Sequence, residues 1–558
     1  VNILFLLPFP QRLLAFASGV QAIAQALTRQ ITFKAEIQFV TLEDDSTLSF
    51  TSSVFSPAAC DVIFVGLTNP ANVADYFTMI DLLGWPAIRP ASNEIPSGQP
   101  LVCAGGWGTA NPEAFANLID VIFVGNAIDS SVAVCEILGR YGRPDTLDFW
   151  REIAAVPGVY VPQLYHFRFE SSGAVQAAKP KYVWAPAKVS FGVDTLAADD
   201  LLAFDGETAV LTATRGCVYH CAYCPIGCEP YRETPLEILD RQITEVAARG
   251  ARQIIVNAAT LSRHAQANEL LDILDRACRQ HPDLTVIIGS LRADELSPSW
   301  LQRLNRLQTL TNTLGYYTGG KREACLTLAP EVGSDEIRLR LGKALTNAQI
   351  FETICTAQLL GFTSFMLYFI VGFDFHAQVA DIIAFIRRTL QLTAETQARI
   401  VVRITPFMPM AHTPMQRFGL LGIEKTWQLI DEIRDAFAAE EAARLEFSCA
   451  MTPADYIYQA LCGRGDRRVS HVLLKLYQRG LNHRTTDPSA IQQVLHEEGV
   501  DLDWYLRRIS IDEIVPWVIV DEIPDRIQRS LLEKLKVVDH QSRQHDVQPI
   551  NKKPPQSS

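Results

Sequence analysis

Near-continuous apolar runs separated by amphipathic stretches set the pattern of the first 150 residues. NILFLLPF, KAEIQFVTL, CDVIFVGLT, PLVCAGGWG and IDVIFVGNAID each have the length and apolar density of a strand buried on both faces. SGVQAIAQALTRQ, VADYFTMIDLLG and SSVAVCEILGRYG lie between or after them with apolar positions at helical spacing. Strands alternating with helices in this way predict a covered parallel sheet, a Rossmann-like module over residues 1–150. In such sheets ligands bind beyond the carboxyl ends of the strands. Those ends carry Gly66, Gly105 with Gly106, and Gly125. A missing side chain there either closes a tight turn or lets a large flat or phosphorylated ligand reach the backbone.

Residues 151–204 change character, and VYVPQLYHFRFE and KYVWAPAKV read as a β-rich connector. A second series occupies 205–420, with strand-like runs at TAVLTATRG, ARQIIVNAA, LTVIIGSLR, ACLTLAPEVGS, SFMLYFIVGF and ARIVVRITPFMP. Their starts recur every 30 to 45 residues, with amphipathic segments such as PLEILDRQITEVAARG and NAQIFETICTAQLLG between them. Six such units predict a partial (β/α)6 TIM barrel with its active loops on the C-terminal rim. From 421 to 537 the pattern is mainly helical, as in EKTWQLIDEIRDAFAAEEAARL and HVLLKLYQRGL. The polar stretch 538–558 is expected to be disordered. The fold class is α/β, with a helical C-terminal domain.

Composition changes this picture little. A chain of 558 residues with 48% hydrophobic and 20% charged positions is long enough for about three cores. Its formal charge of −12 makes nucleic acid an unlikely partner, because phosphate neutralisation needs clustered Lys and Arg. The first apolar run follows no basic segment and reads as a strand rather than a signal peptide. No apolar stretch has the length of a membrane span, so no membrane partner is expected. The cysteines lack the spacing of a secreted disulfide framework, which points to a reducing cytoplasm.

The candidate chemistry lies in TATRGCVYHCAYCPIGCEPYRE, directly after the first strand of the second series. Cys217, Cys221 and Cys224 follow the spacing C-x3-C-x2-C, and Cys228 comes four residues later. Three thiolates on one short loop can ligate three irons of a [4Fe–4S] cluster and leave the fourth iron open. Zinc is the competing metal, with His220 completing a Cys3His set, although structural zinc sites usually take ligands as two separated pairs. Cys228 as a fourth ligand would instead close the cluster and make an electron-transfer centre.

CVYHCAYC resembles the motif of the radical S-adenosylmethionine (SAM) superfamily, C-x3-C-x-aromatic-C after the first strand of a partial TIM barrel, with Tyr223 at the aromatic position. The resemblance implies that Cys217, Cys221 and Cys224 hold the cluster and that SAM chelates its open iron. LAPEVGSDEIRLRLGK resembles the fourth-strand segment of many members, which places Glu331 and Ser334 near the SAM ribose and offers Arg338 or Lys343 to its carboxylate. Arg292 in GSLRADEL is a second carboxylate candidate, and Ile370 and Gly372 in LYFIVGFD match the adenine-holding fifth strand. Asp374 and Phe375 depart from that strand's usual ending.

A Rossmann-like domain ahead of such a barrel resembles the cobalamin-binding subgroup, which includes class B radical SAM methyltransferases. PLVCAGGWGTANPEAFANLIDVIFVGNAID is similar to that subgroup's strand-four to strand-five region, so Gly105, Gly106 and Gly125 would face cobalamin. The Asp-x-His-x-x-Gly motif of other cobalamin modules is absent, with PFPQRLLAFASG in its place. A module that binds nothing and only organises the barrel is the competing reading. CGRGDRR and EEGVDLDWYLRRISIDEIVPW extend the resemblance to the tail, where Arg464, Asp466, Arg467, Trp504 and Trp517 are substrate or packing candidates.

The resemblance implies a radical SAM enzyme, a cobalamin-dependent C-methyltransferase acting on a small molecule or peptide, supplied with electrons by a flavodoxin or ferredoxin. The alternatives are a radical SAM enzyme without methylcobalamin chemistry (rearrangement, cyclisation or sulfur insertion) and a non-catalytic iron–sulfur protein.

Overall fold

The computed structural model describes residues 1–10, 14, 17–44, 47–51, 54–89, 99–142, 146–194, 202–289, 291–308, 325–375, 378–520 and 525–536. The polar stretch 538–558, and residues 11–13, 15 and 16 of the loop that replaces the Asp-x-His-x-x-Gly motif, lie outside them.

The predicted first module is a seven-stranded sheet. Its strands are β1 (Asn2–Leu7), β2 (Glu36–Asp44), β3 (Thr47–Phe50), β4 (Val62–Gly66), β5 (Leu101–Gly105), β6 (Val121–Phe123) and β7 (Val159–Tyr160), in the order β3-β2-β1-β4-β5-β6-β7. The five central strands pair in parallel, and β3 and β7 close the edges antiparallel. The apolar density of β1 has its reason here, since Ile3 to Leu7 are fully buried between covered faces. Strand order reverses on either side of β1, which opens a crevice beyond β1 and β4, with the ends of β5 and β6 beside it.

Antiparallel hairpin β8 (Tyr165–Phe169) and β9 (Val175–Pro180) forms the connector. The barrel follows with an antiparallel edge strand, β10 (Ala203–Phe204), then β11 (Thr208–Thr212). Next comes the short hairpin β12 (Thr214–Arg215) with β13 (Arg232–Glu233), which brackets the cysteine loop. Five further parallel strands are β14 (Gln253–Asn257), β15 (Thr285–Ile288), β16 (Cys325–Glu331), β17 (Ser364–Val371) and β18 (Arg399–Pro406). A parallel bridge from Leu291 to Leu328 joins the two halves of the wall. The six predicted barrel strands are thus β11, β14, β15, β16, β17 and β18. A seventh parallel strand, β19 (Leu445–Cys449), pairs with β18 beyond residue 420, in the region expected to be mainly helical. LEFSC is short and half-buried at the sheet edge, so it lacks the apolar run that marks the inner strands.

The C-terminal helices do not form a core of their own. Ile457 and Leu461 of helix Pro453–Arg464, and Leu473 and Leu476 of helix Val469–Gln478, belong to one apolar cluster with Phe77 and Phe115 of the first module. A polar lock sits at the break between these helices. Asn111 Nδ2 donates to Cys462 O (2.9 Å) and Gly465 O (2.6 Å). Arg467 donates twice to the buried Glu113 carboxylate, at 2.8 Å each, while the Tyr160 hydroxyl donates to the same group. The arm then crosses to the barrel, where Arg508 pairs with Asp374 (2.9 Å), Arg417 donates to the carbonyls of Ser510 and Glu513, and Trp517 donates to Gln416 (2.8 Å).

The tail candidates therefore serve packing. Arg464 is spent on the carbonyls of Phe418 and Arg507, Asp466 pairs with Arg468, and Arg507 stacks on Trp504 at 3.8 Å. No helix among the described residues is long and apolar enough to cross a membrane.

Two stability predictions follow from these buried groups. Arg467→Met strands the Glu113 carboxylate and is expected to cost about 3–5 kcal/mol in a urea titration. Asp455, 9% exposed in the first turn of helix Pro453–Arg464, has its carboxyl pushed by burial to about 6. The folded state thus holds this proton more tightly than the unfolded chain, and stability drops as pH rises from the ordinary carboxylate range through 6. Asp455→Asn should raise the melting temperature at pH 7.5, by up to about 3 kcal/mol of stability, and the gain should vanish near pH 4.

Candidate active site

The three motif cysteines lie on the barrel's C-terminal rim in a loop shaped by its contacts with several strand ends. The Cys224 N–H closes a turn on Cys221 O (3.0 Å), and the backbone of Ala222 is held from both sides, by Leu341 O (2.8 Å) and Met415 N (3.2 Å). Gly342 lets the chain after β16 press on this loop, since a Cβ there would stand 2.9 Å from His220 O. His220 turns Nδ1 onto Gly227 O at 2.8 Å. Among the described residues no three His, Cys, Asp or Glu side chains are arranged to hold a single metal ion.

Tyr219 anchors the loop's other flank. Its hydroxyl donates to Glu295 and accepts from Arg263 (2.7 Å), Ser262 donates to Glu295, and Arg292 lies 4.0 Å over the ring. These partners come from the turns Leu261–Arg263 after β14 and Ala293–Glu295 after β15. Arg292, a candidate for a ligand carboxylate, is buried beside the loop and already bonds Asp294 and Ala344 O (2.6 Å).

Each motif sulfur meets donors. Cys217 Sγ lies 3.9 Å from Thr260 Oγ1 and accepts from Tyr219 N at 3.5 Å. Burial raises the Cys221 and Cys224 thiols above their ordinary values, with the Lys343 ammonium drawing Cys221 back and the amides of Ile226 and Gly227 drawing Cys224 back. Cys228 is set apart: it is exposed, and its thiol donates to His412 O at 3.2 Å. His412, a left-handed residue at φ 64°, also contacts Ala110 O through Nε2 (2.8 Å) and packs on Phe191. One residue thus ties the turn after β5 to the loop after β18 and to the flank of the cysteine loop.

Glu331 ends β16 in the left-handed region, at φ 65°, beside a register shift in the β16–β17 pairing. A non-glycine residue held there stores strain, of the order of 1–3 kcal/mol. Lys343 fixes it with a 2.8 Å ion pair and a second bond to Ala329 O, and the Tyr223 hydroxyl bonds the same carboxylate. Tyr223 and Ile370 share an apolar cluster with Phe373, Phe407 and Phe418 at the ends of β17 and β18. Leu531 and Leu535 of helix Asp525–Lys536 seat in this cluster. Gly372 adjoins it, its N–H donating to Gln378 (2.8 Å).

Local contacts account for several of the expected ligand residues. Arg338 is not available to a ligand carboxylate: its five N–H groups go to Pro330 O, Asp335, Leu345 O, Val332 O and Asn347. Ser334 caps helix Asp335–Arg340 by accepting from Ile337 N, which accounts for its hydroxyl. Gly106 and Gly125 owe their residue type to protein backbone, because a Cβ would fall 2.4 Å from Leu67 O and 2.8 Å from Gly192 O respectively. Gly105 is partly open at the end of β5. The departure at Asp374 also has a local cause, since its carboxylate receives Arg508 from the C-terminal arm.

Residues 24–162 match the family model for radical SAM proteins, N-terminal. An uncharacterised protein of Methanocaldococcus jannaschii is 27% identical over 314 residues, 55% of this chain and 60% of that protein, so the chain spans less than two thirds of that relative. The structure of the radical S-adenosylmethionine methyltransferase TsrM from Kitasatospora setae, with cobalamin and a [4Fe–4S] cluster bound, aligns at TM-score 0.50 and 12% identity over 86% of this chain and 99% of that one. At that identity the likeness speaks for the fold alone.

Tyr219→Phe is expected to free the loop's outer flank. Amide exchange across residues 216–228 should quicken about tenfold, the equivalent of one charge-assisted hydrogen bond of about 1.5 kcal/mol. In its cysteine motif, its N-terminal segment and its fold, the chain resembles the radical SAM superfamily and, within it, the subgroup that carries a cobalamin-binding-type domain ahead of the barrel.

Proposed function

We propose that this protein is a radical SAM enzyme that uses cobalamin to methylate a small molecule or peptide. The observation that carries the reading is the separation of the four loop cysteines. Three sulfurs sit among hydrogen-bond donors on the barrel rim, and the fourth is turned onto His412 O. Such a set supplies three thiolates to a [4Fe–4S] cluster and leaves one iron for an exogenous ligand. When bound, the cluster supplies the electron that cleaves SAM to methionine and a 5′-deoxyadenosyl radical, and cobalamin carries the methyl group.

The chain's own residues bind and exclude. Cys217, Cys221 and Cys224 hold the iron. Tyr223 and Ile370 offer an apolar wall for the adenine, with Gly372 beside it at the end of β17. Lys343 and the strained Glu331 present an ion pair at the end of β16, where the ribose and carboxylate of SAM would be read, and Arg292 lies across the loop as a further cation. The partly open Gly105 at the end of β5 offers backbone to a corrin. Phe191 (38% exposed) packs on His412, and Trp107 (42%) follows Gly106 in the turn after β5, both large apolar surfaces that the fold leaves uncovered. Leu531 and Leu535 of helix Asp525–Lys536 add apolar cover to the cluster of Tyr223 and Ile370. The acidic net charge favours a small molecule or peptide over a nucleic acid, and an electron donor of the flavodoxin or ferredoxin type would serve the cluster.

Anaerobic reconstitution with iron, sulfide, SAM, cobalamin and reductant tests this. Cys217→Ala, Cys221→Ala and Cys224→Ala should each lose the cluster, while Cys228→Ala should keep about four irons per chain. Methyl transfer predicts both 5′-deoxyadenosine and S-adenosylhomocysteine among the products. A corrin-free protein that still makes 5′-deoxyadenosine would instead favour rearrangement, cyclisation or sulfur insertion.

A further inference from the structure

The turn after β14 belongs to no assigned role, yet three consecutive polar contacts run from it to the cysteine loop. Ser262 and Arg263 reach Glu295 and Tyr219, as described. Thr260 reaches a sulfur: its Oγ1 lies 3.9 Å from Cys217 Sγ, and this is the only partner its hydroxyl has among the described residues. The side chain is buried at 7% exposure, three residues beyond the end of β14 and at the head of the turn Leu261–Arg263, so its position is set apart from the cysteine loop. A buried hydroxyl with a single partner has a reason to be there or carries an uncompensated cost.

The direction of this contact follows from the chemistry of the sulfur. A free thiol could donate or accept. Once Cys217 is a metal-bound thiolate it has no hydrogen and can only accept, and the Thr260 hydroxyl becomes the donor. A hydrogen bond to a cluster sulfur withdraws electron density and favours the reduced, more negative state, so it raises the reduction potential. The Tyr219 N–H acts on the same sulfur, but every residue type supplies that donor. Thr260 is the side-chain contribution and hence the one that sequence can vary.

We propose that Thr260 is a positioning residue that donates to the Cys217 thiolate and raises the potential at which the cluster accepts its electron. The proposal rests on the cluster reading above. The turn 260–263 then does two things at once: it fixes the loop's outer flank through Arg263 and Tyr219, and it sets the electronic character of one ligand through Thr260.

The test uses the full chain, reconstituted anaerobically, with potentials measured by redox titration followed by electron-paramagnetic resonance. Thr260→Val keeps shape and removes the hydroxyl, Thr260→Ser keeps the hydroxyl, and Thr260→Ala guards against a packing fault in the valine variant. With iron and sulfide contents unchanged, Thr260→Val and Thr260→Ala should disfavour the reduced state about tenfold, a fall of about 59 mV for a one-electron couple, while Thr260→Ser stays with the wild type. Equal potentials in all four proteins would overturn the proposal, as would a Thr260→Ser shift as large as that of valine. If valine loses the cluster, the alanine and serine pair decides on the same criterion. A wild-type chain that takes up no cluster would fail earlier, at the iron analysis, and would sink the cluster reading together with this one.

Discussion

The buried pair of Glu113 and Arg467 governs how the molecule is assembled. Glu113 lies in the turn just after β5, and Arg467 lies at the break between two C-terminal helices, so one bidentate contact fixes the start of the C-terminal arm on the first sheet. From that point the arm has little freedom. It lays Arg508 on Asp374 beyond β17 and Trp517 on Gln416 beyond β18. Gln416 in turn receives the N–H of His412, the residue whose ring reaches back to Ala110 beside the same β5 turn. The contacts form a closed circuit around the cleft between the sheet and the barrel. Opening it at the pair leaves a carboxylate in an apolar core, which is why the circuit stays shut.

That circuit matters because a three-cysteine loop cannot fix its own shape. Residues 216–228 contain no helix longer than the single turn Pro225–Cys228, and the backbone of Ala222 at their centre bonds to other segments. The loop is positioned by Leu341 from the β16 side, Met415 from the β18 side, and Glu295 and Arg263 from the β15 and β14 sides. Rigid strand ends thus hold a mobile type of segment in place, the usual division of labour at a parallel-barrel rim. The strain at Glu331 fits the same logic: Lys343 and Tyr223 hold an unfavourable backbone where two polar side chains can face the rim.

Periodicity made the two sheets legible, because strands buried on both faces announce themselves as apolar runs. β19 escaped for the opposite reason, being short, edge-placed and half-polar. The cysteine motif was legible because spacing within one loop survives without knowledge of the fold. Arg338 bonds five local acceptors, and a buried arginine of that kind has the same sequence signature as one awaiting a ligand. Asn111 and Glu113 carried the subgroup's resemblance, yet their partners lie some 350 residues away at Cys462, Gly465 and Arg467, a pairing no local pattern reveals. Thr260 and Glu295 were likewise invisible, since each acts across a strand boundary on a residue of the cysteine loop.

The fate of Cys228 follows from the same long-range geometry. Four thiols in one loop would suit a closed cluster, and sequence spacing alone does not forbid it. What separates the fourth is the single turn Pro225–Cys228, which carries the chain outward after Cys224, and the carbonyl of His412, which stands ready to accept its S–H. His412 occupies the left-handed region, and that backbone places its carbonyl on the Cys228 side while its ring remains on Ala110. The residue that ties the first module to the barrel therefore also satisfies the fourth cysteine of the loop. The isolation of Cys228 from the other three thiols is then a property of the domain arrangement as much as of the motif, and it depends on the arm that Glu113 and Arg467 set in place.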